Sequence, residues 1–230
     1  MRILTWNIRH GGRSRAERLL KSLEAHNPDV VVLTEFRNND CGLQIRQRLE
    51  SFGLRQQSGS YAAPSINAVL VAARERLAAQ VFDDLGENAH RCVLARIRGI
   101  NIFGLYFPYG LEKDFLFQFL IDLAPRYLQG RSLLIGDLNT GKHHLDEAGA
   151  TFFCSEHFER LEAQGWVDAW RHRYPVGREY TWYSHAGNGF RIDHAFVSPS
   201  LLPKVGRIEY SHQEREAALS DHSALIVEIV

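Results

Sequence analysis

The sequence lacks any unbroken apolar stretch of about 18 residues, the length that a membrane-spanning helix needs, so no membrane span is expected. Its amino terminus, MRILTWNIRHGG, also lacks the basic segment, apolar segment and small-residue cleavage site of a secretory signal. Only three cysteines occur, at positions 41, 92 and 154. Because none of them form a C-x-x-C pair, they predict neither a disulfide framework nor a zinc site, and a cytoplasmic location is favoured.

The chain also lacks an excess of charge of either sign. It carries 27 lysines and arginines against 27 aspartates and glutamates. No global field therefore draws it onto a nucleic acid, and a polyanion would have to meet a local basic patch. Two segments are candidates for such a patch, although each is equally typical of a solvated face. They are Arg13, Arg15, Arg18 and Lys21 at roughly helical spacing, and the run Arg171, His172 and Arg173.

What the chain does contain is a series of short apolar runs with β-branched residues. Its 230 residues, of which 45% are hydrophobic, fit one domain spanning residues 1–230. Apolar runs at 3–7 and 30–34 flank a helical stripe of leucines within 13–26, which predicts a strand, a helix and a strand. Further strands are predicted at 68–72, 92–97, 100–107, 132–135, 179–183, 192–197, 205–210 and 224–230, and helices at 43–51, 113–128 and 155–164. Many strands with few helices favour an α/β fold in which helices cover two packed sheets.

Polar residues recur where the predicted apolar strands end. An acid at the edge of a buried sheet is costly unless it is paired, hydrogen-bonded or bound to a cation, so repeated placement indicates a shared site. Each residue alone also has a simpler explanation, such as a turn in GDLN or an ion pair of Asp193 with Arg191. The recurring residues are Asn7, Glu35, Asp137, Asn139, Asp193, Asp221 and His222.

These residues lie in an ordered set of motifs: WN at 6–7, E at 35 after an apolar strand, GDLN at 136–139, RID at 191–193 and SDH at 220–222. Together they resemble the endonuclease/exonuclease/phosphatase superfamily of metal-dependent phosphoesterases. YFP at 106–108, VDAWRHRYP at 167–175 and YTW at 180–182 are most similar to its exonuclease III and apurinic/apyrimidinic endonuclease branch. The resemblance implies a four-layered α/β sandwich, with two packed mixed β-sheets flanked by helices.

The resemblance also implies roles on the metal and water side of a catalytic centre. Glu35 and Asp221 would hold a divalent cation, and oxygen ligands favour Mg²⁺, with Mn²⁺ as a substitute. Asp137 would orient or deprotonate the attacking water, and Asn139 would hold both in place. Asn7 would complete this network by hydrogen bonding to Asp137.

On the phosphate side, the resemblance implies that His222 presents an N–H to a non-bridging phosphate oxygen. Asp193 would fix the tautomer and orientation of that imidazole. Tyr106 would add a further hydrogen bond near the phosphate. Asp221 and His222 would then be adjacent because one serves the cation and the other serves the substrate.

By the same resemblance, Trp182, Phe190 and Ile192 fall where abasic endonucleases form a small apolar pocket for a base-free sugar. Arg171 lies in the loop region near it. Aromatic residues on strands usually face a core, so a purely structural role is an equal alternative for these side chains.

Two residues depart from that branch. Arg9 stands where abasic endonucleases often have an acid, and Tyr109 stands where they commonly have an asparagine. The leading hypothesis is a Mg²⁺-dependent phosphodiesterase that acts on DNA as an abasic-site endonuclease or 3′ exonuclease, as a monomer. A phosphatase or phosphodiesterase for a nucleotide, sugar phosphate or lipid headgroup is the alternative, which the neutral charge and the two departures favour. A non-catalytic binding protein with the same fold is the third hypothesis.

Overall fold

The computed structural model describes all 230 residues and contains fourteen strands and six α-helices. The strands are β1 (Arg2–Asn7), β2 (Val30–Phe36), β3 (Gln56–Gly59), β4 (Ala68–Ala73), β5 (Ala78–Gln80), β6 (Cys92–Ile97), β7 (Ile100–Tyr106), β8 (Ser132–Asp137), β9 (Val167–Asp168), β10 (Trp182–Tyr183), β11 (Gly189–Phe190), β12 (Asp193–Val197), β13 (Val205–Ser211) and β14 (Ala224–Ile229). The helices are α1 (Ala16–His26), α2 (Asp40–Ser51), α3 (Asp114–Tyr127), α4 (Glu156–Gln164), α5 (Ala169–Arg173) and α6 (Gln213–Glu216). Short 3₁₀ segments span Arg13–Arg15, Asp83–Arg91, Gly110–Lys113 and Leu202–Lys204.

The strands form two six-stranded sheets and one small hairpin. The first sheet has the order β13-β14-β1-β2-β4-β3, and the second has the order β5-β6-β7-β8-β12-β9. Each sheet is mixed, because β1 pairs with β2 and β7 pairs with β8 in parallel while the other pairs are antiparallel. Strands β10 and β11 make the hairpin. The predicted pair of packed mixed sheets is therefore confirmed.

The two sheets pack face to face through β-branched side chains. Val32 and Val69 of the first sheet lie in one buried cluster with Ile102 and Ile135 of the second. The sheets lie close together at Gly104, where a Cβ atom would lie 2.9 Å from Cγ1 of Val32. Because both faces of these strands are covered, their sequences read as continuous apolar runs rather than as an alternation.

Helices cover the outer face of each sheet, which gives four layers. Leu20 of α1 and Leu49 of α2 pack with Leu33 of the first sheet. On the other side, Phe117 of α3 and Phe158 of α4 belong to the cluster that covers the second sheet. The predicted four-layered α/β sandwich is confirmed. None of the helices combines the length and the hydrophobicity that a membrane span requires.

Several predicted boundaries are wrong, each for a local reason. The predicted strand at 179–183 shortens to β10, because the chain before it runs irregularly into the hairpin. Strands β3 and β5 were missed because they are short edge strands with exposed polar or alanine residues, which carry no apolar alternation.

The strand register brings distant polar residues to one edge of the sandwich. Residue pairs in the second sheet place Asp137 beside both Tyr106 and Asp193. In the first sheet, β1 and β2 run in parallel and end together, so that Asn7 pairs with Thr34, next to Glu35. Strand β14 runs antiparallel to β1 and begins at this same edge, which places His222 there as well.

Candidate active site

Asp137 lies at the centre of the polar cluster, on the last position of β8, and is fully buried. Asn7 Nδ2 donates a hydrogen bond to its Oδ2 atom at 2.9 Å. The backbone N–H of Asn139 donates to Oδ1, also at 2.9 Å. The Asn7 amide also lies 3.2 Å from Glu35 Oε1, so one side chain connects acids that belong to different sheets.

His222 lies against two of the acids. Its Nδ1 atom is 2.9 Å from Asp193 Oδ2, and its Nε2 atom is 4.0 Å from Asp137 Oδ2. The backbone of His222 is anchored, since the Trp6 indole N–H donates a hydrogen bond to the His222 carbonyl at 3.0 Å. Asp193 therefore fixes one ring nitrogen and leaves the other facing Asp137.

The pKa values of Asp137 and His222 are both raised, but for different reasons. It raises the pKa of Asp137 to about 7, against the opposing effect of the nearby His222. Burial alone would lower the pKa of His222, but the carboxylates of Asp193 and Asp137 outweigh it and raise that pKa to about 10. Near neutral pH the imidazole is therefore held as a cation, and Asp137 is poised to exchange a proton.

Glu35 sits at the end of β2 with φ at 53°, in the left-handed region that is strained for a residue with a side chain. Its Oε2 atom accepts a hydrogen bond from the His10 backbone N–H at 2.7 Å, and His10 Nδ1 lies 3.0 Å away. A register shift between Leu33 and Phe36 produces this conformation. The strain turns the carboxylate of Glu35 toward the hollow that Asp137 faces.

The donor atoms around this hollow fit a hard divalent cation. Glu35 and Asp137 offer carboxylate oxygens that share the Asn7 amide, and a carboxylate oxygen of Asp193 lies within 4.8 Å of one of Asp137. Carboxylate oxygens are the donors that Mg²⁺ and Mn²⁺ prefer. Asp221 is half-buried at the rim, where its carboxylate is paired with Arg9.

Tyr106 extends the cluster along β7. Its hydroxyl accepts a hydrogen bond from Asn67 Nδ2 at 3.4 Å, and the Arg91 guanidinium lies 5.4 Å from its ring centroid. Burial, together with the negative charge of Glu35, raises the pKa of Tyr106 above its ordinary value. The phenol therefore stays protonated and can donate a hydrogen bond.

A cavity of about 180 Å³ adjoins the cluster. The hairpin register places Trp182 opposite Phe190, with ring centroids 5.7 Å apart. Both rings line the cavity together with Ile192, and Asn139 lies between the cavity and Asp137. The structure thus brings these three apolar residues to a cavity next to the acids. The remaining lining residues are Tyr109, Thr151, Phe152, Phe153 and Ser184.

Comparison of the sequence with known proteins identifies the family of the chain. The model of the endonuclease/exonuclease/phosphatase family matches residues 4–222. The chain belongs to this family. It is 26% identical over 235 residues to an exodeoxyribonuclease of Bacillus subtilis (strain 168), covering 89% of this chain and 91% of that protein.

Solved structures of other proteins have the same fold as this chain. An AP endonuclease from Archaeoglobus fulgidus superposes with a TM-score of 0.86 at 20% identity, over 100% of this chain and 99% of that one. A 3′ phosphatase from Neisseria, bound to a product DNA hairpin, gives a TM-score of 0.86 at 23% identity with the same coverage. The two-sheet sandwich is therefore the fold of the family.

Arg171 lies on α5 and is held by groups of the protein itself. It is buried, and its guanidinium donates to Asp146 Oδ1 and to the carbonyl oxygens of Tyr174 and Gly177. All of these groups belong to the protein, and Arg171 does not line the cavity. The charge of Arg171 therefore fixes the segment after α5, and its contact with a substrate stays a prediction.

Arg191 likewise pairs differently from the simple expectation that it neutralises Asp193. Its Nε atom binds Asp146 Oδ1 at 2.7 Å, and its Nη2 atom binds Asp168 Oδ2 at 2.6 Å. This buried network leaves the Asp193 carboxylate to His222. The adjacent arginine therefore supports the loop beside the cavity rather than the histidine pair.

Sequence reasoning missed three polar residues of the site. His10 lies against Glu35, and Asn67 contacts Tyr106. Neither residue directly follows an apolar strand, so the pattern of polar strand ends did not include them. Lys113 is buried, and its ammonium donates to the carbonyl of Asn139. Burial lowers the pKa of Lys113 to about 8. Their positions depend on loop conformation, and the only available signal was the glycine pair after His10.

Proposed function

We propose that the chain is a metal-dependent phosphodiesterase that acts on DNA, as an abasic-site endonuclease or a 3′ exonuclease. The observation that carries this proposal is the meeting of Asn7 and Glu35 from one sheet with Asp137 and the Asp193–His222 pair from the other. The similarity to the Bacillus subtilis exodeoxyribonuclease supports DNA as the substrate. Residues 1–230 form one catalytic domain in this proposal.

Asp137 orients and deprotonates the attacking water. A group with a pKa of about 7 is well matched to this task near neutral pH, and its hydrogen bonds to Asn7 and Asn139 fix its position. His222 donates an N–H to a non-bridging phosphate oxygen while Asp193 holds the ring. Tyr106 donates its protonated hydroxyl to the same phosphate.

Glu35 and Asp221 would hold Mg²⁺, with Mn²⁺ as a substitute. When bound, this cation supplies Lewis-acid stabilisation of the charge that grows on the phosphate oxygens. The strained backbone of Glu35 and its two contacts with His10 preorganise the carboxylate. Asp221 would bind the cation only when its ion pair with Arg9 is broken, since the two side chains are paired.

Trp182, Phe190 and Ile192 receive the sugar next to the reacting phosphate. Pockets for drug-sized ligands are about 300–1,000 Å³. The cavity measures about 180 Å³, so it suits a fragment such as a pentose rather than a whole nucleotide. Its apolar walls favour a sugar without a base in this position.

A phosphatase or phosphodiesterase for a small phosphate ester is the second candidate. The zero formal net charge supports it, because duplex binding depends largely on contacts of cationic side chains with phosphates. The Arg9 side chain, which is largely exposed although it pairs with Asp221, also fits a terminal phosphate. A Neisseria structure that resembles this fold is named as a 3′ phosphatase.

A substrate panel with purified protein tests these proposals. The substrates are a duplex with one abasic site, a duplex with a recessed 3′ end, a 3′-phosphorylated oligonucleotide and a small aryl phosphate, each with Mg²⁺ or EDTA. We expect Mg²⁺-dependent cleavage of the DNA substrates and at least about a 100-fold loss in Asp137→Asn and His222→Ala. Turnover of the aryl phosphate alone would replace the DNA proposal with the second candidate.

Two further proposals concern the state of the protein. All three cysteines are free thiols, which supports a reducing compartment such as the cytoplasm.

The proposed catalytic residues all come from one chain, which supports a functional monomer. Sedimentation of the active protein at a single monomer mass would agree with this, and activity found only in a larger species would contradict it.

A further inference from the structure

Two exposed aromatic rings stand together at the rim of the cavity. The Tyr109 residue is 77% exposed and Phe153 is 42% exposed. Their centroids lie 5.8 Å apart with the planes at 77°, so the edge of one ring meets the face of the other. Large rings at this level of exposure leave apolar surface in water, and here they do so next to Asn139 and the acids.

The backbone beneath Phe153 is fixed rather than loose. Thr140 Oγ1 donates a hydrogen bond to the Phe153 carbonyl at 2.7 Å. The buried Glu147 carboxylate accepts from the backbone N–H groups of Thr151 at 2.7 Å and Phe152 at 3.2 Å. Phe153 is therefore held out toward solvent by a preorganised segment.

The backbone before Tyr109 is fixed by the catalytic cluster itself. The Phe107 N–H donates to the Asp137 carbonyl, and the Phe107 carbonyl accepts from Asn139 Nδ2, both at 2.8 Å. Pro108 further restricts the chain before Tyr109. The position of the Tyr109 ring is thus tied to the same residues that hold Asp137.

A positive charge lies beside this ring. The Lys113 ammonium is 5.9 Å from the Tyr109 centroid, within the range of a cation–π contact. The Lys113 ammonium is buried, so it supports the ring rather than a phosphate. Proteins that bind single strands stack bases on exposed aromatic side chains, and an exposed ring with a second ring at its edge offers such a surface. The two rings also form a patch that is too small for a stable protein interface, which buries about 800 Å² per partner.

We propose that Tyr109 and Phe153 form a stacking platform for an unpaired nucleobase of the nucleotide next to the reacting phosphate. This inference rests on the proposed function and specifies its substrate. The cavity takes the sugar, and the rim takes the base of a neighbouring nucleotide that is not paired. DNA with a frayed or single-stranded 3′ end therefore binds more tightly than fully paired DNA.

Fluorescence binding tests this platform without turnover. The probes are two hairpin oligonucleotides that carry 2-aminopurine as the 3′-terminal base, one with that base unpaired and one with it paired. Binding is measured with the Asp137→Asn protein in EDTA, so no cleavage takes place. We expect tighter binding of the unpaired probe and a change in its fluorescence on stacking.

The variants Tyr109→Ala and Tyr109→Leu, made in that protein, should weaken binding of the unpaired probe by about 5- to 140-fold. Binding of the paired probe should change little. Tyr109→Phe keeps the ring and should retain the preference. Leu111→Ala is the matched control, because Leu111 lies two residues away and is 69% exposed but has no ring.

Equal losses for the two probes in Tyr109→Ala would overturn the platform, and so would an equal loss in Leu111→Ala. A protein that binds neither probe would also overturn it. The substrate panel separates this result from failure of the proposed function, because wild-type cleavage of duplex DNA would show that the catalytic centre stands without the platform.

Discussion

Among single residues, Arg9 has the most direct influence on the metal side of the site. Its Nε atom lies 3.7 Å from Asp221 Oδ2, with the two side chains 55% and 38% exposed. A pair this exposed is worth at most about 1 kcal/mol. The arginine therefore acts as a weak internal competitor for a cation at Asp221, while Glu35 keeps its contacts with His10.

We expect Arg9→Ala to bind Mn²⁺ more tightly, by up to about 5-fold, because the Asp221 carboxylate is released from its partner. Electron paramagnetic resonance of free Mn²⁺ during a titration would measure this directly. Arg9→Lys keeps the positive charge and should resemble the wild type. Weaker binding in Arg9→Ala would show that the arginine does not compete for the site.

The sequence could predict the positions of site residues that adjoin strands, but not of those held by loops. Asn7, Asp137, Asp193 and His222 follow or precede apolar strands, and the resemblance of their ordered motifs to a known family predicted that they meet. Arg171 could not be placed in this way, because its partners are carbonyl groups of a loop whose path the sequence does not specify. Side chains that depend on loop geometry escape a prediction based on periodicity.

At the scale of elements, the short helix α6 is anchored to α1 by one buried acid. Glu214 Oε1 accepts from Ser22 Oγ at 2.8 Å and lies 2.6 Å from His26 Nε2. Burial would raise the pKa of Glu214, but these hydrogen bonds outweigh it and lower that pKa to about 2. A carboxylate that is more acidic in the folded state stabilises the fold at pH values above its unfolded pKa.

Glu214→Gln should therefore lower the free energy of unfolding at pH 7, by about 1.5–3 kcal/mol, because a charged hydrogen-bond acceptor is lost. The unfolded pKa of glutamate is about 4.3. The deficit should be complete above that value and shrink as the pH falls toward about 2, where the wild-type carboxylate becomes protonated. Urea unfolding from pH 2 to pH 7 measures it, and a deficit independent of pH would contradict the assigned role.

Elements also show why the sequence predicted the centre of each sheet better than its edges. Central strands such as β2 and β8 are buried on both faces, so their continuous apolar runs are distinctive. The edge strand β5, Ala78–Gln80, is short and mostly exposed, and only its pairing with β6 makes it a strand. That pairing is a tertiary contact, which a local pattern does not contain.

At the scale of the whole molecule, the site exists only because the two sheets pack closely. A point of close approach is Gly104 in β7, where an added Cβ would lie 2.9 Å from Val32 Cγ1 and 3.0 Å from Val69 Cγ1. These contacts are shorter than side-chain carbon atoms accept, and the neighbours are buried between the sheets. Any separation there moves Asn7 away from Asp137.

Gly104→Ala should accordingly destabilise the protein by about 1–3 kcal/mol through overpacking. Gly149→Ala is the matched control, since the nearest atom to its new Cβ would be 4.0 Å away. Thermal and chemical unfolding would compare the two variants. Equal stability of Gly104→Ala and Gly149→Ala would mean that the sheets tolerate a wider spacing than the structure has.

The central claim is that side chains from two sheets act as one catalytic unit. Single-turnover rates of abasic-site cleavage by Asn7→Ala, Asp137→Ala and the double variant test it most directly. If the Asn7 amide acts by holding Asp137, the double variant should cleave within about 2-fold of the rate of Asp137→Ala alone. Losses that multiply in the double variant would contradict the claim, because they would show that the two residues contribute independently.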